Sequence, residues 1–117
     1  MKQIRVILSP EAEAVYNDLV KKAPTSKTDK TILNGIRKKT QLIRWDVHYG
    51  QPIAKSKIPD EYKKKYGVTN LFRVELPYFW RMLYTLTDSE TKIEIIAFIL
   101  DIMDHPAYNK KFGYQKK

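Results

Sequence analysis

The stretch LFRVELPYFWRMLYTLT, residues 71 to 87, constrains this chain more than any other. From Phe72 to Leu76 and from Trp80 to Leu86, large apolar side chains occupy even positions, while Arg73, Glu75, Arg81 and Thr85 occupy odd ones. A period of two sends the two sets to opposite faces of a strand, so both arginines leave the sheet on the side away from the core. A guanidinium stays charged and presents a planar fork of donors, which suits a phosphate or a carboxylate partner. The plainer alternative is a solvated face with one ion pair, worth roughly 0.2–1 kcal/mol.

The pairing register follows from the proline between the two runs. Pro77 has no N–H for a ladder bond, so it belongs in the hairpin loop, and face parity admits only loops of odd length. A loop of Leu76, Pro77 and Tyr78 sets Arg73 opposite Arg81. A loop of Pro77, Tyr78 and Phe79 sets Glu75 opposite Arg81. Unlike charges across a strand pair are favourable and like charges are not, which selects the second register for the free protein.

At 117 residues the chain suffices for one domain, expected over 1–117, with one core. It has no cysteine, which removes disulfides, zinc ribbons and thiol chemistry. The apolar run near the start is too short for a signal segment and no run reaches membrane-spanning length, so a cytoplasmic protein with no membrane association is expected. The net charge is +9. Residues 21 to 66 hold thirteen Lys or Arg against Asp29, Asp46, Asp60 and Glu61, and the rest of the chain balances. Such a segment is expected either to join the hairpin arginines in one positive surface for nucleic acid or an acidic protein, or to be a solubilising lysine-rich face.

Gln3 to Leu8 reads as a strand with Ile4, Val6 and Leu8 on one face. Ser9 caps a helix that opens with Pro10, carries Glu11 and Glu13 at its positive end, buries Ala12, Val15, Tyr16, Leu19, Val20 and Ala23, and closes at Pro24. A second helix runs from about Ser26 or Thr28 to Trp45, burying Ile32, Ile36, Leu42 and Ile43. Residues 46 to 70 form a connector with a helical turn or two at Asp60 to Tyr66, where Lys63, Lys64 and Lys65 lie between Tyr62 and Tyr66. These tyrosines either stack on bases or anchor the loop. Ile93 to Met103 is a central strand covered on both faces, and the tail from His105 is basic and aromatic.

The expected fold is therefore α+β: an N-terminal strand, a two-helix hairpin, and a three-stranded antiparallel meander. At this point the chain resembles the RelE/ParE superfamily of toxins from toxin–antitoxin modules. The resemblance rests on SPEAEAVYNDL, HYGQPI, LFRVELPYFWRMLYTLT and IIAFILDIMDHPAY, and covers nearly the whole length. It implies two helices on a twisted antiparallel sheet whose concave face carries the active groups.

The resemblance also implies metal-independent cleavage of messenger RNA at the ribosome, without cofactor, by attack of a ribose 2′-hydroxyl on its own phosphate. An acidic antitoxin would restrain it. Arg81 matches the phosphate clamp and Arg73 assists; His105 is a candidate acid or base, Tyr108 a stacking or proton-donating group, and Glu75 either a base or an ion-pair partner of Arg81. Lys38, Lys39, Lys55, Lys57, Lys63, Lys64, Lys65, Lys110 and Lys111 are candidate nucleic-acid contacts. The chain departs from many ribosome-dependent relatives in having Glu75 where they have a second basic residue and Ile102 to Asp104 where they have an arginine. A non-catalytic member of the same fold, gyrase-poisoning or a degenerate orphan, is the alternative. Asp101, Asp104 and His105 match no strong metal spacing, and no metal is expected.

Overall fold

The computed structural model describes residues 3–88 and 94–113. Strand β1 (Gln3–Leu8) leads into α1 (Pro10–Lys22) and α2 (Lys27–Trp45), which are followed by a two-residue strand β2 (Gln51–Pro52), a 3-10 turn (Lys55–Lys57) and α3 (Asp60–Tyr66). Then come β3 (Phe72–Leu76), a tight turn at Pro77–Phe79, β4 (Trp80–Asp88), β5 (Glu94–Met103) and α4 (His105–Phe112). No helix among the described residues is long and apolar enough to cross a membrane.

The expected meander is present as β3, β4 and β5, but the sheet is larger and mixed. Its order is β1-β5-β4-β3-β2, with β1 parallel to β5 and the other pairs antiparallel. Among the described residues the fold is thus α+β with five strands and four helices, rather than the smaller antiparallel arrangement anticipated. The parallel pair is fixed at its end by Ser9. Its N–H donates to the Ile99 carbonyl at 2.8 Å, and its buried hydroxyl donates to Leu100 O at 2.7 Å while accepting from Ala12 N at 3.0 Å. One residue therefore caps α1 and clamps the strand–helix corner to β5.

Both faces of the sheet are covered. Phe72, Val74, Met82, Tyr84, Ala97, Ile99 and Ile102 pack beneath α1 and α2 with Ala12, Leu19, Ile32, Leu33, Ile36 and Ile43. Leu33 belongs to this core although the helical reading missed it, Leu42 is only half-buried, and Val20 is exposed. On the other face Leu83, Leu100 and Met103 meet Ile58, Tyr62, Val68, Leu71 and Tyr108 from the connector and α4. Leu83 is the exception to the even-odd alternation: it is fully buried at an odd position because a second apolar layer covers the face that carries the arginines. Thr85, also odd, is buried with its hydroxyl on Asn70 Oδ1. The β4–β5 ladder shifts register between Leu83 and Tyr84. Ile93, where β5 was expected to begin, lies outside the described residues.

Two glycines allow the close approaches that hold the connector and the hairpin turn. A Cβ on Gly50 would lie 2.8 Å from Tyr84 Cε1, and the Gly50 N–H donates to the Tyr84 hydroxyl, which in turn donates to Val47 O at 2.7 Å. Burial pushes the Tyr84 phenol up, so it remains protonated and keeps that donor. A Cβ on Gly35 would lie 2.6 Å from Pro77 Cδ, so α2 presses directly on the β3–β4 turn.

Candidate functional site

The hairpin register is the one selected by charge. Glu75 stands opposite Arg81 and Leu76 opposite Trp80, leaving Pro77, Tyr78 and Phe79 as the loop. Alternation then brings Arg73, Glu75 and Arg81 to the face opposite Phe72, Val74 and Met82. Glu75 lies between the two cations: its Oε1 is 3.2 Å from Arg73 Nε and its Oε2 is 2.9 Å from Arg81 Nε. Neither approach is aligned as a hydrogen bond, so the contacts are chiefly electrostatic.

Tyr108 covers the pair. The resemblance implied a role for this residue, and α4 places its buried ring beside the arginines, with the Arg81 guanidinium carbon 5.3 Å and that of Arg73 5.9 Å from the ring centroid. Cation–π attraction at this range contributes roughly 0.5–2 kcal/mol. Arg73 Nη1 also donates to the Tyr108 hydroxyl at 3.1 Å, and its Nη2 donates to Gln51 Oε1 across the short β2–β3 pair. Arg81 Nη1 donates to Phe79 O at 2.6 Å. The Arg81 side chain is 13 % exposed and that of Arg73 26 %. A cleft of about 170 Å3 opens beside them, lined by Gln51, Ala54, Lys57, Arg73 and Tyr108 among others. A larger concavity, about 930 Å3 at the corner between α1 and α2, holds none of the candidate residues.

His105 begins α4 and is exposed. The tail anticipated as merely basic and aromatic is a helix because Asp104 caps it, accepting from Ala107 N at 3.0 Å, with Pro106 in its first turn. The imidazole lies 6.3 Å from the Phe79 ring, and its Nε2 is 3.1 Å from Asn109 Nδ2. With the Asn109 amide as donor, Nε2 accepts. His105 thus lies beside Phe79, whose carbonyl accepts from Arg81.

The lysines do not make one surface. Lys38 and Lys39 ride on α2, over one face of the sheet, while Lys55, Lys57, Lys63, Lys64 and Lys65 belong to the connector layer on the other. The basic segment crosses from one layer to the other because the connector wraps round the β2 edge, which a sum of charges along the sequence does not reveal. Lys39 donates to the Tyr49 hydroxyl at 2.9 Å, and Lys65 pairs with Glu11. That pairing, with a hydrogen bond from Tyr66, lowers the Glu11 pKa to about 2 and raises that of Lys65. Lys110 is exposed on α4. Lys57 is the lysine that the fold brings to the cleft.

Lys111 turns inward. It lies 3.1 Å from Asp101 and 3.0 Å from Glu61, over the Tyr62 ring. Burial opposes its charge, but the two carboxylates outweigh burial and hold its pKa up. Tyr62 donates to Asp101 at 2.6 Å, and burial, reinforced by that carboxylate, drives its pKa far above the usual tyrosine range. Of the two roles open to Tyr62 and Tyr66, anchoring is the one seen: Tyr62 is buried, and Tyr66 bonds Glu11 and meets Phe98 edge-on. Asp101 and Asp104 are likewise engaged as structural acceptors.

Gln51 and Phe79 entered the site unannounced by the sequence. A two-residue strand has no periodicity to read, and nothing in Pro-Tyr-Phe signals that both aromatics take left-handed backbone angles, with φ 61° and 62°. No family model, curated protein or solved structure matches the chain.

Proposed function

We propose that this chain is a RelE/ParE-like toxin that cleaves messenger RNA, without a metal, at the site formed by Arg73, Arg81 and Tyr108. The observation that carries the reading is their convergence: two guanidiniums from adjacent strands, a phenol hydroxyl bonded to one of them, and a cleft alongside that Lys57 also lines. In the proposed reaction the ribose O2′ bonds to phosphorus and the P–O5′ bond breaks. A base removes the O2′ proton and an acid supplies one to O5′. The arginines would stabilise charge building on the phosphorane, and Tyr108 would donate to the leaving oxygen. An acidic antitoxin would be drawn to the same cations, and the ribosome would present the message.

A second reading has its own observation. Glu75 neutralises part of the charge of both arginines, and the His105 Nε2 is engaged by Asn109. That arrangement favours a member of the fold that binds its target, RNA or gyrase, without cutting it. Both readings are tested by incubating the protein with messenger RNA and translating ribosomes. Cleavage by the wild type, lost in Arg81→Ala and reduced at least 100-fold in Tyr108→Phe, supports the nuclease. Binding without cleavage supports the second reading.

A further inference from the structure

The turn at Pro77–Phe79 is strained and wasteful by any packing criterion. Tyr78 and Phe79 both adopt left-handed φ, a region where glycine is unstrained and a bulky residue costs of order 1–3 kcal/mol. Burial does not offset that cost, since Tyr78 is 56 % and Phe79 73 % exposed. The turn is nevertheless held rigid. Pro77 abuts Gly35 of α2 on one side, and Arg81 Nη1 holds the Phe79 carbonyl on the other.

We infer that Phe79 is a stacking platform for one base of a single-stranded RNA, placed by the strained turn beside the guanidinium pair. The inference rests on reading that pair as an RNA phosphate site. Three features favour a base over other occupants. An exposed aromatic face accepts any base, whatever its sequence. The atom that holds the Phe79 backbone is a guanidinium nitrogen of Arg81, so stacking surface and phosphate contact are joined through one residue. His105, its ring centroid 6.3 Å away and inclined at 54°, supplies a polar neighbour for a base on that ring. A protein partner would need a wider apolar surface than this single projecting turn.

The test is a fluorescence-anisotropy titration with a short labelled oligoribonucleotide and with matched strands in which one base at a time is removed. Phe79→Ala should weaken binding of the intact strand by about 5- to 150-fold, the range of one lost base–aromatic stack. Phe79→Trp should retain it. For one abasic position the wild type should show the same loss, and Phe79→Ala should then lose nothing more. Phe79→Gly guards against misfolding: it relieves the left-handed strain, so it should be at least as thermostable as the wild type while losing the same affinity. If Arg73→Ala and Arg81→Ala weaken binding but Phe79→Ala does not, or if the Phe79 and abasic losses simply multiply, the platform is refuted while the phosphate site stands. If the wild type binds no RNA, both are refuted.

Discussion

Replacing Glu75 with Gln separates the roles open to this carboxylate. The change removes one negative charge from between Arg73 and Arg81 while keeping shape and an acceptor oxygen. The Glu75 side chain is 57 % exposed, so solvent screens both contacts and each is worth about 0.2–1 kcal/mol rather than the ~4 kcal/mol of a close pair at low effective dielectric. Two contacts give a loss of roughly 0.4–2 kcal/mol, or a fall in melting temperature of about 2–8 °C.

Binding should move the other way. In the proposed site Glu75 would compete with a phosphate for the same two cations, and its contacts with their Nε atoms lack hydrogen-bond alignment. Its neutralisation should therefore release about one net positive charge to the site. For a single strand the slope of log affinity against log salt is about −0.7 per phosphate neutralised, so Glu75→Gln should steepen it by about 0.7 and tighten low-salt binding roughly 5- to 10-fold. Anisotropy titrations at four salt concentrations suffice to measure both. An unchanged slope, or weaker binding with the fold intact, would refute the idea that Glu75 fills the phosphate position. A 100-fold or greater loss of cleavage with binding intact would instead identify Glu75 as the base.

Other consequences are open to simple measurement. Gly50→Ala drives a methyl to within 2.8 Å of Tyr84 and 3.0 Å of Phe72 Cβ, and should cost about 1–3 kcal/mol in denaturant unfolding. The Glu11 pKa is depressed from 4.5 to about 2, so the stability it lends is complete above about 4.5 and lost as pH falls towards 2; Glu11→Gln should flatten the melting temperature over that window. Ser9→Ala leaves Ala12 N and Leu100 O without their buried partner and should cost about 1–3 kcal/mol, seen as a lower melting temperature.

The parts of this molecule that were legible in its sequence are those where a local rule and the tertiary structure agree. Ser9-Pro10, the helical face from Ala12 to Leu19, the Asp60–Tyr66 helix and the Glu75–Arg81 register each follow from a cap, a period or a charge pair within a few residues. The parallel pairing of β1 with β5 joins residues about ninety positions apart and has no local signature. The near-continuous apolar run of β5 implied cover on both faces, but which residues supply the second layer was hidden for a related reason. Ile58, Tyr62, Val68 and Leu71 lie in a stretch broken by prolines and glycine, where no single period survives, so nothing in the sequence marks them as partners of Leu83. Asp104-His-Pro did contain a cap followed by a proline, yet the segment read only as a basic, aromatic tail and the helix that carries Lys110 and Lys111 was missed.

That second layer determines what the arginine pair can do. α4 is fastened at two points: Tyr108 lies over Arg73 and Arg81, and Lys111 spans Asp101 and Glu61. Tyr108 stacks on Phe112 one turn later at 4.5 Å, and both pack into the second apolar cluster, so the helix is held to the sheet through the residue beside the arginines. Loosening α4 should therefore withdraw the phenol and expose both guanidiniums together. Lys111→Met tests this without touching the arginines. It should leave the sheet intact but raise amide exchange across α4, and under the proposed nuclease reading it should weaken RNA cleavage more than RNA binding, because binding would need only the cations whereas cleavage would need Tyr108 held against them. Equal losses in both, or protected α4 amides in the variant, would mean that the helix is secured by Tyr108 and Phe112 alone.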